Sequence, residues 1–314
     1  MPLLRLDALG ETPHLHGSAD APGPLLAEAA RAGAGPIIVM VHGYKFVPGH
    51  PERCPHGHIL SLEERGDCWK ALSWPRALGF GAGGPDEGLG VALGWNARGT
   101  IWRAYDRAAE AGAALAQAIE VLHTAAPHRP IHALAHSLGA RVVLQALARL
   151  PERAVNRAIL LAGAEFASRA EAALATPAGR AAEIVNVTSR ENDLFDFLLE
   201  RLIGPPRPGD VTLGHGLGER PGALTLQLDD PATLSVLRAR GFPVAAPARR
   251  VCHWSAYLRP GVFDLYRALL RRPENLPLAA LRAQLPERPQ PRWSRLVAPA
   301  RREPALSFLP KAPS

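Results

Sequence analysis

The chain has few cysteines and no long, uninterrupted apolar segment. Its 314 residues include three cysteines, which are too few and too odd in number for the disulfide framework of a small secreted protein. Apolar runs such as 36–41 are far shorter than the roughly 20 residues that cross a bilayer. Asp7 also interrupts the place where a secretory signal needs a continuous apolar core. We therefore expect a cytoplasmic protein with no membrane span.

Lysine is scarce as well, although the net charge is +7. Nearly all basic residues are arginines, and they are scattered along the chain. A surface that binds nucleic acid normally concentrates its positive charge on one face. We therefore expect no nucleic-acid partner. Because 47% of the residues are hydrophobic, we expect a substantial buried core.

Short apolar runs alternate with segments of helical periodicity. Strands are predicted at 36–43, 89–95, 131–135, 157–162, 184–188 and 224–228, and the clearest helices at 100–125 and 138–150. Thr100 is the predicted N-cap of the first of these helices. Strands that alternate with helices of this length form βαβ units, whose sheet is parallel and covered on both faces. The predicted fold class is α/β.

Two regions depart from this alternation. Segment 46–88 is rich in Gly, Pro, His and Arg and is too long for a plain connection, so we interpret it as an insertion over the sheet edge and a candidate lid. Segment 286–314 is a basic, proline-rich tail that we expect to be disordered. The predicted domain is therefore 1–285.

The most informative motif is Ala135-His136-Ser137-Leu138-Gly139, which follows a predicted strand and opens a predicted helix. A serine on such a sharp turn has its hydroxyl held out at the carboxyl edge of the sheet. The small residues at 135 and 139 permit the close backbone approach that this turn needs. Ser137 is thus the candidate nucleophile, although a serine there also suits a simple helix cap.

A second motif, His42-Gly43-Tyr44, follows the first buried strand. A backbone N–H after this strand faces the serine turn across the sheet and can hold an oxyanion. We predict that the amides of Tyr44 and Leu138 form this pair. The alternative is an ordinary turn that ends the strand.

A nucleophilic serine needs a base and an acid that orients the base. Asp193, beyond the strand at 184–188, is the predicted acid. Asp196, Glu191 and Glu165 are alternatives, and Asp196 also suits the first turn of a helix.

His253, on a loop after the last predicted strand, is the predicted base, with His215 as its competitor. A zinc site in the insertion is a further possibility, since His50, His56, His58, Cys54 and Cys68 all lie there. The paired spacing that is typical of zinc ligands is missing. We therefore predict no metal.

These motifs, in the chain order Ser, Asp, His, resemble the α/β-hydrolase superfamily over about residues 36–272. Together with Ser73-Trp74-Pro75, they look like a bacterial branch of uncharacterised esterase- or lipase-like proteins. The resemblance implies an eight-stranded, mostly parallel sheet, an acyl-enzyme on Ser137 and no cofactor. The leading hypothesis from the ordered motifs is a serine hydrolase that acts on a small-molecule carboxylic ester.

Fold and triad alone do not identify the substrate. An acyltransferase, a thioesterase and a binding protein that retains the fold remain alternatives. Trp95 and Arg98 follow another predicted strand, so we expect them at the rim of the site as candidate substrate-binding residues. Rim packing for Trp95 and a plain surface position for Arg98 are the alternatives.

Overall fold

The computed structural model describes residues 2–18, 20–66, 68–84, 86–218, 220–287 and 289–293. The strands of this part of the chain form one eight-stranded sheet in the order β2-β1-β4-β3-β5-β6-β7-β8. Only β1 and β2 pair antiparallel. The strands are β1 (Leu3–Leu9), β2 (Thr12–Leu15), β3 (Ile37–Val41), β4 (Leu89–Trp95), β5 (Ile131–His136), β6 (Arg157–Leu161), β7 (Glu183–Thr188) and β8 (Ala223–Gln227).

Helices cover both faces of the sheet, which confirms the predicted α/β-hydrolase fold. They are α1 (Gly23–Arg31), α2 (Trp74–Ala77), α3 (Ile101–Ala125), α4 (Leu138–Leu147), α5 (Ala167–Leu174), α6 (Pro177–Ala181), α7 (Asp193–Leu202), α8 (Pro231–Ala239), α9 (Ser255–Leu258), α10 (Val262–Arg271) and α11 (Leu278–Arg282). Thr100 caps α3 as predicted, because its hydroxyl accepts from the Arg103 amide at 3.4 Å. Within the described residues, no helix has both the length and the apolar character that crossing a membrane requires.

Alternation along the central strand β3 divides the core into two layers. Ile37, Val39 and Val41 pack with the apolar faces of α1, α3 and α4 on one side of the sheet. Ile38 and Met40 point the other way, where they pack with α10 and α11. Both faces of β3 are buried because successive side chains of a strand alternate and helices cover each side.

The insertion 46–88 contributes to the second layer. Ile59, Trp74 and Phe80 are buried there against the sheet, although the segment contains little regular structure beyond α2 and a short 3₁₀ helix at Pro55–Gly57. Trp69, by contrast, is 59% exposed. The segment therefore builds part of the core, and its motion as a lid stays a prediction.

The expectation that segment 286–314 lies outside the fold is wrong for its first part. Arg292 is 3% exposed and forms an ion pair with Asp196. Gln290 donates from its side-chain nitrogen to Asp230 at 2.7 Å. Composition missed this packing because polar and ionic contacts, rather than apolar burial, attach the segment. Residues 294–314 lie outside the described residues.

Candidate active site

Ser137 lies at the junction of β5 and α4 in a strained backbone conformation. Its φ of 56° and ψ of −124° fall where a residue with a side chain rarely lies, and such strain is typical of a nucleophile turn. Its amide donates to the Leu161 carbonyl at 2.9 Å, which ties the turn to β6. Gly139 is required, because a Cβ there would lie 2.6 Å from the Val41 carbonyl oxygen. The turn therefore has the geometry that the sequence predicts.

The turn after β3 lies directly against this serine. A Cβ on Gly43 would be 2.7 Å from the Ser137 Cβ, so only glycine allows the two turns to approach. Tyr44 and Leu138 line the same cavity as Ser137. Within the described residues, neither of their amides donates to a protein acceptor. Two unused N–H donors beside a serine are the elements of an oxyanion hole.

His253 precedes α9 and lines the same cavity as Ser137. Its Nδ1 lies 2.6 Å from Oδ1 of Asn192. Among the described residues, no hydrogen bond joins His253 to the serine hydroxyl. Such contacts are often open in sites without substrate and tighten when it binds.

The Asn192 amide links His253 to a buried carboxylate. Its Nδ2 donates to Oδ2 of Asp196 at 2.8 Å, and Arg292 pairs with the same oxygen. Burial raises the pKa of Asp196 to about 6, although the charge of Arg292 opposes this rise. At neutral pH the carboxylate can only accept, so Asn192 must donate to it and turn Oδ1 toward His253. Nδ1 of His253 therefore carries the proton, which leaves Nε2 unprotonated and able to act as a base.

Asp193, the predicted acid, is not the hydrogen-bond partner of His253. It begins α7, and its Oδ1 lies 3.5 Å from Arg292. The prediction assumed an extended chain after β7, but the backbone enters a 3₁₀ turn at Arg190–Asn192. Successive residues of a 3₁₀ turn point about 120° apart, and the neighbouring position, Asn192, faces the histidine. This is a correction to the predicted triad.

The other carboxylates considered from the sequence have structural partners. Glu165 pairs with Arg141 in the buried core, and Glu191 pairs with Arg259. His215, the competing base, is not among the residues that line the cavity. None of these alternatives replaces the arrangement at His253.

His136 directly precedes Ser137 in the chain and contacts His253. Its Nε2 donates to the His253 carbonyl at 3.0 Å, and burial lowers the pKa of His136 to about 4. Burial also lowers the pKa of His253 well below its ordinary 6.5, and the nearby charges of His136 and Lys70 act in the same direction. The ring of Phe195 stacks on His253 at 4.6 Å between centroids. Both imidazoles are therefore neutral near pH 7.

Sequence reasoning missed the roles of Asn192 and His136 and treated Asp196 only as a rival acid. The spacing of Asn192 and Asp196 was an available signal, because residues four apart share one face of a helix. The contact between His136 and His253 joins residues 117 positions apart, and nothing local in the sequence indicates it.

The cavity around Ser137 has a volume of about 470 Å³. Its wall is mostly apolar, and the side chains include Phe46, Ile59, Ile101, Phe195, Leu199 and Leu202. The insertion supplies the first two of these. Such a cavity suits an apolar group next to the reacting atoms.

Trp95 and Arg98, the predicted substrate-binding residues, do not line this cavity. Trp95 is buried, stacks on His42 at 5.5 Å and donates from its indole to the His42 carbonyl at 3.1 Å. Arg98 lines a separate, open depression on the surface. Trp95 therefore packs against His42 in the core and not at the rim of the cavity, and Arg98 is a surface residue.

Potential metal ligands form one group in the described part of the chain, namely Asp7, His16 and His56. None of the three lines the cavity at Ser137. Within the described residues, the cavity at Ser137 therefore contains no group of potential metal ligands.

Comparison with known proteins gives a family match over almost half of the chain. Residues 28–177 match a family model described as an alpha/beta hydrolase of unknown function, DUF900. This stretch contains β3, the turn at Gly43 and Tyr44, and the turn at Ser137. The search of curated proteins found no significant match.

Among solved structures, the chain is similar to a Trichoderma reesei cutinase in complex with a C11Y4 phosphonate inhibitor. The identity is 13% and the TM-score 0.23, over 45% of this chain and 64% of the cutinase chain. A likeness this weak says nothing about the activity of this protein. The family match and the sheet order confirm what the motifs indicated: this protein is an α/β hydrolase in fold and superfamily.

Proposed function

We propose that this protein is a serine hydrolase that cleaves a carboxylic ester through an acyl-enzyme on Ser137. The proposal rests on one arrangement: Ser137 and His253 line the same cavity, and Oδ1 of Asn192 lies 2.6 Å from Nδ1 of that histidine. A serine becomes a strong nucleophile when a neutral, correctly oriented base can take its proton. His253 meets both conditions, since burial keeps it neutral.

The acylation step uses the groups in this order. His253 Nε2 accepts the proton of the Ser137 hydroxyl while the oxygen attacks the ester carbonyl carbon. The carbonyl oxygen becomes an oxyanion, which the amides of Tyr44 and Leu138 stabilise by hydrogen bonds. The intermediate then expels the alkoxide, and the His253 imidazolium gives it the proton, so that an alcohol leaves and the acyl group stays on Ser137.

Deacylation repeats these steps with water. His253 takes a proton from water, the hydroxide oxygen attacks the acyl carbon, and the Ser137 oxygen leaves as it regains the proton. Asn192 orients the ring in both steps but carries no charge, whereas an aspartate would stabilise the imidazolium directly. The negative charge of Asp196 acts on the histidine from behind Asn192, because Asn192 lies between the two side chains.

The cavity wall supports an ester with an apolar acyl chain as the substrate. Phe46, Ile59, Phe195 and Leu199 offer no charged or hydrogen-bonding group to a substrate beside the serine. Burying a methylene in such a pocket is worth about 0.8 kcal/mol. We therefore expect kcat/KM to rise along a series of p-nitrophenyl esters from acetate to butyrate and hexanoate.

The test is hydrolysis of this ester series by the full-length protein and by Ser137→Ala and His253→Ala. Ser18→Ala and His123→Ala, both outside the cavity, are matched controls. We expect loss of turnover by a factor on the order of 10⁴ in the first pair and no change in the controls. Activity that persists in a folded Ser137→Ala variant contradicts the proposal.

The transferase alternative differs only in the group that accepts the acyl chain. Adding a primary alcohol to the same reaction separates the two activities by product analysis. A hydrolase releases the free acid as its main product, whereas a transferase yields mostly the new ester.

A further inference from the structure

A cluster of metal-ligating side chains lies outside the cavity at Ser137. It joins three parts of the chain: Asp7 on β1, His16 just after β2, and His56 in the 3₁₀ helix of the insertion. His16 Nδ1 lies 2.8 Å from Oδ2 of Asp7, and His56 Nε2 lies 2.9 Å from Oδ1 of the same carboxylate. The three ligand atoms are all within 4.8 Å of one another.

We propose that Asp7, His16 and His56 form a zinc-binding site. One carboxylate and two imidazoles are a common ligand set for zinc. Each ligand atom lies about 2 Å from a bound zinc ion, so tetrahedral ligands are about 3.3 Å apart. The contacts at 2.8 and 2.9 Å need to open by only about half an ångström, which small side-chain rotations supply.

Zinc ligation changes which ring nitrogen of each histidine carries the proton. In the hydrogen-bonded state, each imidazole gives an N–H to Asp7, and ligation requires that nitrogen as a lone pair. His16 would then carry its proton on Nε2, which lies 3.9 Å from the sulfur of Cys54, a weak acceptor. His56 would carry its proton on Nδ1, which is buried and has no partner among the described residues. Each imidazole thus ligates through the nitrogen that faces Asp7 and carries its proton on the other ring nitrogen.

The surroundings favour a site that holds the insertion in place. His56 is 2% exposed, and its ring centroid lies 4.1 Å from that of His16. Gly94 on β4 allows this approach, since a Cβ there would lie 2.7 Å from His56 Nε2. A bound zinc ion would connect the β1–β2 hairpin to segment 46–88, which are otherwise joined by hydrogen bonds. The position fits a structural role, because a ligand bound only by the folded state stabilises that state.

The first test is zinc chloride titration of the full-length, tag-free protein after chelator treatment, followed by calorimetry and thermal unfolding. We expect about one zinc ion per chain and a rise in Tm, with no rise for magnesium chloride. Failure of the wild type to bind one equivalent overturns the proposal. This result is independent of esterase activity, because none of the ligands lines the cavity at Ser137.

Ligand variants test the assignment. Asp7→Asn and His16→Gln should each weaken zinc binding at least tenfold, while His50→Gln in the same insertion should bind as the wild type does. Unchanged affinity in both ligand variants indicates an adventitious ion and overturns the assignment. If these variants do not fold, the visible spectrum of the cobalt(II)-loaded wild type decides. Intense bands of four- or five-coordinate cobalt support the site, and the weak spectrum of hydrated cobalt overturns it.

Discussion

The turn between β5 and α4 is held by close backbone packing, whereas the turn between β7 and α7 is held by hydrogen bonds between side chains from distant parts of the chain. Ser137 takes its strained conformation because Gly43 and Gly139 let the neighbouring backbone come close. Asn192 takes its position through His253 and Asp196, and Asp196 in turn pairs with Arg292, 96 residues away. The steric requirement of the serine turn is met by small residues that directly follow predicted strands, whereas no local pattern indicates the hydrogen-bonded network.

This difference predicts that the serine turn tolerates substitution least. Gly43→Ala adds a Cβ 2.7 Å from the Ser137 Cβ and 2.9 Å from the His136 carbonyl oxygen. We expect kcat to fall by a factor of about 10² to 10³, since the displaced Tyr44 amide no longer meets the oxyanion. Gly66→Ala, whose added Cβ contacts nothing within 4 Å, is the control. Equal kcat in the two variants, measured on a p-nitrophenyl ester, would show that the close approach is not needed.

The turn after β7 can be tested by a pair of adjacent variants. Asn192→Ala removes the partner of His253 Nδ1, and we expect kcat/KM to fall by a factor on the order of 10² or more. Asp193→Ala should reduce it less than tenfold, since the side-chain hydrogen bond to Nδ1 of the histidine comes from Asn192. The reverse order of effects would restore Asp193 as the orienting acid and refute the network described above.

A substitution at Arg292, near the end of the described chain, should have a smaller effect on the turn after β7. Arg292→Met leaves Asp196 buried without its cation, and we expect about a tenfold loss of kcat/KM. The pKa of Asp196 should also rise, because the charge of Arg292 lowers it, so the acid limb of the pH profile should move to higher pH. Arg272→Met, an exposed arginine, is the control. A lower kcat with an unmoved acid limb would assign Arg292 a merely structural role.

The smallest expected effect is on the pH profile of the wild type. Burial lowers the pKa of His253 below 6.5, so the base stays neutral as the pH falls to that value. Asp196, with a pKa of about 6, is protonated first and loses the charge that holds Asn192. We therefore expect kcat/KM to be constant down to about pH 6.5 and to fall only below it. An acid limb above pH 7 would mean that His253 is solvated and not the buried base.

Local pattern was sufficient to predict much of the fold and the strand-to-helix turn at Ser137. The central strands, the capped helix α3 and the serine turn follow from apolar runs, Thr100 and small residues around Ser137. The hairpin of β1 and β2 was not predicted, since Arg5 and Asp7 interrupt its apolar pattern. The assignment of Asp193 was off by one residue because the 3₁₀ turn at Arg190–Asn192 changes which side chain faces His253.

The central claim is that His253 activates Ser137 and that Asn192 orients His253. Labelling with a fluorophosphonate, read by intact mass and peptide mapping, tests it most directly, because the probe requires an activated serine. The wild type and Asp193→Ala should both be labelled at Ser137, whereas His253→Ala and Asn192→Ala should be labelled far more slowly. Labelling of another residue, or equal labelling of Ser137 in the folded His253→Ala and Asn192→Ala variants, would contradict the account.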